Sequence, residues 1–117
     1  MKIEYYTSSG GESYVEEVIL MQAPKMVKKI LKTIDMIIDW GVGPSCRAGM
    51  MKKLHGYDLY EILVDFNKIF FRILCVLKDG VLYLLSAFCK KSPNTPDREI
   101  DTALKRAKQL NTLLAFH

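Results

Sequence analysis

The sequence predicts an α+β fold in which helices pack on one face of an antiparallel sheet. Three apolar segments of strand length follow one another and are joined by the two-residue turns Asn67-Lys68 and Asp79-Gly80. These segments are 59–66, 69–77 and 81–89. Apolar residues also recur at helical spacing between Pro24 and Trp40. A chain of 117 residues can bury one core, so we expect 1–117 to form a single domain.

The first part of the chain is predicted to form a short strand and two helices. Residues 3–7 alternate in hydropathy and form the strand. Ser13 and Glu16 have the spacing of a capping box, which predicts a helix running to about residue 21. Pro24 suits the first turn of the second helix, and a glycine-rich segment after residue 40 ends that helix.

The second part begins with an irregular segment and closes with a helix. Residues 45–57 show no clear period, with a short helical turn expected around 47–52. Thr95 is the predicted cap of the last helix, Pro96 fits its first position, and the helix should reach about residue 113. The element order is therefore β-α-α-β-β-β-α.

Composition limits the kind of partner and site. Seventeen basic and thirteen acidic residues give a net charge of +4, which permits a nucleic acid or an acidic protein as partner and requires neither. The three cysteines are odd in number and lack CxxC spacing, which favours a reducing compartment. His55 and His117 have no paired spacing with other ligand residues, so we expect no metal site.

We expect a cytoplasmic protein with no membrane partner. Lys2 and Glu4 are followed by polar residues rather than by an apolar run, so no secretory signal peptide is expected. The longest apolar runs lie inside the strand-length segments and are too short to cross a bilayer.

Strand register predicts which side chains share a face of the sheet. Two-residue turns fix the register, so Arg72 should lie opposite Leu63 in one neighbouring strand and opposite Ala87 in the other. The expected core face, which the helices should cover, carries Ile62, Val64, Phe66, Phe71, Ile73, Leu77, Leu82, Leu84 and Phe88. The opposite face carries Glu61, Leu63, Asp65, Arg72, Leu74, Tyr83 and Lys91.

Arg72 is the candidate functional residue on this second face. A charge inside an apolar strand lowers stability unless something pairs with it. Lys90 and Lys91 end the neighbouring strand, so the three cations suggest a site for a polyanion on an exposed or grooved face. Alternation predicts that Lys91 rather than Lys90 shares the face of Arg72. In the alternative interpretation, Arg72 forms a surface ion pair with Glu61 or Asp65, which stabilises a protein little.

The segment 59–110 resembles a known group of toxins. It contains LYE at the start of a strand, a lone arginine in the next strand, an Asp-Gly turn, the motif FCKKSPNTP and a charged helix. This pattern is similar to the HigB-like, phage-derived branch of the RelE/ParE superfamily of toxin–antitoxin toxins, and FCKKSPNTP is its most specific part. The similarity extends more loosely toward the N-terminus, through Gly10-Gly11, residues 28–40 and Lys53-Leu54. The resemblance implies a RelE-like fold.

The resemblance also implies a function. The implied protein is the toxin of a type II toxin–antitoxin system. Its implied activity is that of a ribosome-dependent mRNA endoribonuclease that inhibits translation. The implied partners are a helix-turn-helix antitoxin, the ribosome and mRNA. The implied chemistry is attack of a 2′-hydroxyl on the adjacent phosphate, which needs no metal and no small-molecule cofactor because basic side chains can stabilise the charge that develops.

By position, the resemblance assigns roles to particular residues. Arg72 matches the strand arginine of the family and would bind phosphate. Lys90 and Lys91 match its lysine doublet, with Lys91 expected at the transition-state charge or leaving group and Lys90 at the substrate backbone. Glu61 would orient Arg72 or act as a base, or it would form only a structural ion pair.

Four further residues have expected roles. Lys53, His55 and Arg98 are expected RNA contacts. Lys53 equally fits a solvated loop lysine, and a lone histidine such as His55 is more often structural or solvated than functional. Thr95 is expected to cap its helix and to do nothing more.

Three positions depart from the family pattern. Leu63 stands where an arginine is usual, Cys75 where a tyrosine is frequent, and Asn94 where a lysine is frequent. Each departure removes a group that would assist cleavage, so a weak or inactive nuclease remains an alternative. The scaffold would then serve as a binding module, either a ParE-like gyrase poison or a degenerate toxin that only binds its antitoxin.

Overall fold

The computed structural model describes residues 1–115, with side chains through Asn111, and shows a mixed sheet of five strands with four helices packed on it. The strands are β1 (Lys2–Tyr5), β2 (Met51–Lys53), β3 (Tyr60–Phe66), β4 (Ile69–Lys78) and β5 (Val81–Cys89). The helices are α1 (Tyr14–Leu20), α2 (Pro24–Trp40), α3 (Val42–Arg47) and α4 (Asp97–Ala115). His117 lies outside the described residues. The α+β prediction is confirmed.

The sheet has the strand order β1-β5-β4-β3-β2. The pairs β2–β3, β3–β4 and β4–β5 are antiparallel, whereas β1 runs parallel to β5. The prediction of a purely antiparallel sheet is therefore wrong at one edge. No hairpin turn joins β1 to β5, because most of the chain lies between them, and nothing in the connection forces an antiparallel pair.

Helices cover both faces of the sheet, and the prediction of helices on one face is wrong. Helices α1, α2 and α3 pack on the first face, whose buried strand residues are Met51, Ile62, Val64, Phe71, Ile73, Cys75, Leu82 and Leu84. Helix α4 packs on the second face, where Ile100, Ala103 and Leu110 meet Leu59, Leu74, Tyr83, Leu85 and Phe88. The second face carries large apolar side chains beside its charges, so it needs a cover of its own.

A β-bulge in β5 shifts the register between the two halves of the β4–β5 hairpin. Cys75 pairs with Leu84 and Leu74 pairs with Ser86, so one extra residue of β5 stands between them. Arg72 consequently lies opposite Phe88 and not Ala87, whereas the expected pairing of Leu63 with Arg72 is confirmed. The bulge also moves Phe88 from the expected core face to the α4 face.

The same shift changes which lysine follows Arg72 across the sheet. The backbone N–H of Lys90 donates to the Phe70 carbonyl at 2.7 Å, which continues the β4–β5 ladder by one residue. Phe70 and Arg72 share a face, so alternation places Lys90 on that face. The sequence-based assignment of Lys91 to the Arg72 face is therefore wrong.

Both two-residue turns have the left-handed backbone expected of tight hairpins. The φ angles are 51° at Asp79 and 78° at Gly80, and 50° at Asn67 and 63° at Lys68. Glycine and asparagine adopt this conformation at little cost, whereas a lysine pays about 1–2 kcal/mol for it. Lys68 is therefore a strained residue in an otherwise favourable turn.

Local sequence signals misplaced several element ends. Ser13 precedes α1, but its side chain forms no capping hydrogen bond, so the capping-box prediction is wrong. The Pro96 carbonyl accepts from the N–H groups of Glu99 and Ile100, so α4 begins one residue later than predicted and Thr95 is not its cap. The segment expected to be irregular contains the end of α3 and all of β2. Within the described residues, no helix combines the length and the hydrophobicity needed to cross a membrane.

Candidate functional site: a cationic cleft

The ends of β4 and β5 and the loop after β5 enclose a cleft of about 460 Å³. We call it the cationic cleft, and it is lined by Lys68, Phe70, Arg72, Lys90, Lys91, Ser92 and Pro93. Four of these seven residues are basic and none carries a carboxylate. The structure thus brings Arg72 together with both lysines of the doublet, as the sequence suggested.

Arg72 is buried in the wall of this cleft, so of the two expected environments, an exposed or a grooved face, the structure shows the grooved one. Only 8% of its side chain is accessible, and it lies on the face of the sheet on which α4 packs. Its Nη1 donates to Asp65 Oδ1 at 2.5 Å and to the carbonyl of Phe71 at 3.0 Å. Its Nε lies 3.8 Å from Glu61 Oε1. Both ion-pair partners considered from the sequence are present, and together they fix the orientation of the guanidinium.

Glu61 lies behind Arg72 and is fully buried. Its Oε2 accepts a hydrogen bond from the hydroxyl of Thr95 at 2.8 Å, and its Oε1 lies 3.5 Å from Lys52 Nζ. Glu61 Oε1 and Arg72 Nε are both buried and have no hydrogen-bond partner, although they face each other. This carboxylate cannot reach a substrate, so the geometry fits an orienting role and not that of a base.

Thr95 links the loop after β5 to the sheet. Its hydroxyl donates to Glu61 across 34 positions of sequence, at the far end of the loop that begins with Lys90 and Lys91. The bond therefore ties the position of this loop to the same carboxylate that faces Arg72. A cap was the expected role of Thr95, and the sequence pattern gave no sign of this contact.

Lys68 and Phe70 are cleft residues that sequence reasoning missed. Lys68 occupies the second position of a two-residue hairpin turn, where glycine is favoured. A strained residue that persists at a cleft is a pointer to function, and this signal could have been read from the sequence. The ring of Phe70 lies 6.0 Å from the guanidinium carbon of Arg72 and is 45% exposed. An exposed ring beside cations is suited to stacking on a nucleic-acid base.

The three residues expected as RNA contacts lie outside the cationic cleft. Lys53 Nζ pairs with Asp58 at 3.2 Å and lies 4.9 Å from the centre of the Tyr60 ring. His55 is exposed in the turn between β2 and β3. Tyr60 is three positions along β3 from Leu63, so this end of the sheet is about 10 Å from Arg72 along the strand.

Arg98 is also separate from the cleft. It lies in the first turn of α4, is largely exposed, and has its Nε 3.9 Å from Glu99 Oε2. An exposed pair at this distance contributes little to stability.

The departures from the family pattern are visible in the structure. Leu63 pairs with Arg72, so the neighbouring strand offers no second cation at that position. Cys75 is fully buried, and burial raises the pKa of its thiol far above the ordinary value. This thiol stays protonated and cannot exchange protons with a substrate. Among the described residues, no group of three or more His, Cys, Asp and Glu side chains is placed to hold a metal ion.

The charge of the cleft is suited to an anion such as a phosphate diester. Arg72, Lys68, Lys90 and Lys91 surround one volume, while the nearby carboxylates are Glu61, which is buried, and Asp65, which is half exposed. Cations outnumber carboxylates even when Lys52 is left out. A preorganised set of donors stabilises a developing negative charge more strongly than water does.

Comparison with known proteins identifies the family of this chain. Residues 17–108 match the family described as Phage derived protein Gp49-like (DUF891), and this match includes β2 to β5 and all the residues of the cationic cleft. No curated protein matches the chain. With a match over more than three quarters of its length, the chain belongs to the phage-derived Gp49-like family, a family of RelE-like, toxin-like proteins.

Proposed function

We propose that this protein is the toxin of a type II toxin–antitoxin system and that it cuts mRNA on the ribosome in the cytoplasm, as in the HigB-like branch of the RelE superfamily. The observation that carries the proposal is the cationic cleft, where a fixed guanidinium and three lysines surround one volume beside an exposed ring. The Gp49-like family membership supports the toxin-like character.

In the proposed reaction, the 2′-oxygen of one ribose attacks the adjacent phosphorus and the bond to the 5′-oxygen of the next nucleotide breaks. Arg72 and Lys90, which share a face, bind the non-bridging oxygens and stabilise the dianionic pentacoordinate state. Lys91, exposed at the start of the loop, gives a proton to the 5′-oxygen. The half-exposed Asp65 carboxylate takes the proton of the 2′-hydroxyl. Glu61 acts only through Arg72.

The partners follow from the function proposed. A toxin-like family implies an antitoxin, and we propose that it is a small helix-turn-helix protein that forms a complex with this chain. The substrate would be mRNA in the ribosomal A site, with no metal and no small-molecule cofactor in the reaction. Co-expression with the protein encoded by the neighbouring gene, followed by purification of a stable complex, tests the antitoxin.

The test of the nuclease is a cell-free translation reaction in which the ends of the mRNA are mapped by primer extension. The full chain should cut within the A-site codon. Lys90→Ala and Lys91→Ala should each lower the cutting rate by about 10- to 100-fold, the scale of a lost charge-assisted contact to the transition state. Lys32→Ala is the matched control, because Lys32 is an exposed lysine of α2 on the opposite side of the sheet. Cutting that both doublet variants retain in full would remove the site assignment.

A second candidate function is favoured by the surroundings of Arg72. Its donors already bind Asp65 and the Phe71 carbonyl, and it is opposite Leu63 rather than a second cation. These features fit a binding module, which would poison DNA gyrase or only bind its antitoxin. Intact mRNA together with gyrase-dependent DNA breaks would identify the gyrase poison. Intact mRNA and intact DNA, with a stable antitoxin complex, would identify the binder.

A further inference from the structure

A second cleft, with a different composition, lies between the loop after β1 and helix α4. Its volume is about 590 Å³, larger than the cationic cleft. Tyr6 and Tyr14 supply aromatic rings, Lys105 and Arg106 supply positive charge, and Ser8 and Ser9 supply hydroxyls. None of these residues lines the cationic cleft. We call it the tyrosine cleft.

Arg106 is held rigidly at the wall of this cleft. Its Nη1 donates to the Leu85 carbonyl at 2.7 Å. Its guanidinium carbon lies 4.5 Å from the centre of the Tyr14 ring and 5.7 Å from the centre of the Tyr6 ring. The Tyr6 hydroxyl in turn donates to Gln109 Oε1 at 2.6 Å, so the second ring is also fixed. A guanidinium has five donor hydrogens and the bond to Leu85 uses one nitrogen, so donors remain for a ligand.

The charge of the tyrosine cleft favours an anion. Lys105 is exposed and lines the same cleft as Arg106, so it adds a second positive charge. The nearby carboxylate, Glu12, accepts hydrogen bonds from the Tyr14 hydroxyl at 2.6 Å and from the Ser8 hydroxyl at 2.9 Å. These bonds lower the pKa of Glu12, so it is charged at neutral pH and occupied by its own partners. Two cations therefore face one carboxylate.

The combination of two cations with tyrosine rings favours one chemical class of ligand. A fixed guanidinium with a neighbouring ammonium recognises a phosphate, and a partly exposed tyrosine ring stacks on a planar base. A purely apolar ligand would strip water from two cations without pairing them, which is costly. A metal ion would need several carboxylate or imidazole ligands, and the described residues around this cleft do not provide such a group.

We propose that the tyrosine cleft binds a nucleotide unit, with the phosphate at Lys105 and Arg106 and the base against Tyr14. The unit is either a free nucleotide or one residue of a single-stranded RNA, which present the same chemistry. This proposal goes beyond the proposed function. It concerns the cleft between α4 and the loop after β1, and it involves no residue of the cationic cleft.

The test is an NMR titration of the full chain with adenosine monophosphate and, separately, with a short single-stranded oligoribonucleotide. Amide signals of Ser8, Ser9 and residues 102–109 should shift for at least one ligand. Binding of both with similar affinity identifies a free-nucleotide site, and binding of the oligoribonucleotide alone identifies an RNA subsite. No binding of either ligand, or shifts confined to residues 90–93, would overturn the proposal.

Single-residue variants test whether the ligand binds in the tyrosine cleft, and each is compared with a control variant. Lys105→Ala should weaken binding about fivefold, as for one exposed charge contact, and should reduce the slope of log affinity against log salt by about 0.7 for a single strand. Tyr14→Leu should weaken it by at least about fivefold through loss of stacking. Tyr14→Phe, which keeps the ring but frees Glu12 from one hydrogen bond, should bind more tightly than Tyr14→Leu. Equal affinity for Tyr14→Leu, Tyr14→Phe and the wild type would exclude a base stacked on this ring.

The outcome is independent of the mRNA cleavage reaction. The titration contains no ribosome and reads binding at residues that do not line the cationic cleft. A chain that cuts no mRNA can still bind the nucleotide unit at Tyr14, and a chain that cuts mRNA can lack this binding. Lys32→Ala again serves as the control for the loss of one surface lysine.

Discussion

Replacing Arg72 with methionine should destabilise the fold strongly, because it leaves a buried carboxylate without one of its two counter-charges and the only buried one. Glu61 is fully buried and has Arg72 Nε at 3.8 Å. Breaking a buried ion pair from one side costs about 3–5 kcal/mol. Lys52 and the Thr95 hydroxyl stay beside Glu61 at 3.5 Å and 2.8 Å, so we expect the lower end, about 3 kcal/mol.

The size of the effect can be read as a melting temperature. For a domain of about 100 residues, 1 kcal/mol corresponds to about 4 °C. The Arg72→Met variant should therefore melt about 12 °C below the wild type in circular dichroism. In the double variant with Glu61→Gln, the buried charge is gone while an oxygen remains for Thr95, so part of this loss should be recovered.

Two results would refute this reasoning. One is an Arg72→Met variant that melts within about 3 °C of the wild type, less than 1 kcal/mol on the same scale. The other is a double variant that is no more stable than Arg72→Met alone. The stability measurement is also a control for the functional test. A loss of cleavage in an Arg72 variant can be assigned to chemistry only if that variant is folded under the assay conditions.

Three further predictions concern the surroundings of the cationic cleft. Thr95→Val should lower the free energy of unfolding in urea by about 1–3 kcal/mol, because Glu61 loses a buried donor, while Thr95→Ser should not; equal stability of the two variants would contradict the bond. Lys68→Gly should raise stability by about 1 kcal/mol through relief of left-handed strain and should weaken RNA binding, whereas Asn67→Gly, which removes no cation, should leave RNA binding unchanged. Iodoacetamide at pH 8 should label exposed Cys89 and spare Cys75, whose pKa is raised by burial; mass spectrometry of native protein showing labelled Cys75 would disagree.

The element order could be predicted where the sequence repeats a pattern over many residues. The three apolar segments with two-residue turns gave β3, β4 and β5 within one residue at each end. The amphipathic period likewise gave α2. β2 has three residues and α3 has six, which is too short for a period to be measured, so both were missed.

The sequence predicted which residues form the candidate site more accurately than it predicted how deeply they are buried. The cations at Arg72, Lys90 and Lys91 do meet, because adjacent strands bring them to one end of the sheet. Arg72 and Glu61 are buried through tertiary contacts, such as the bond from Thr95 to Glu61, which leave no local sequence pattern. Lys52 joins Glu61 only through β2, the strand that was missed.

The extra residue in β5 determines more than the local shape of the strand. Between Leu84 and Ser86 the chain advances by one residue without advancing the pairing with β4. If the same residues paired without this bulge, Arg72 would lie opposite Ala87, and Lys91 rather than Lys90 would share the face of Arg72. The bulge, rather than the identity of two adjacent lysines, thus decides which ammonium group shares a face with Arg72, and relatives with and without a bulge must be compared by strand pairing and not by motif.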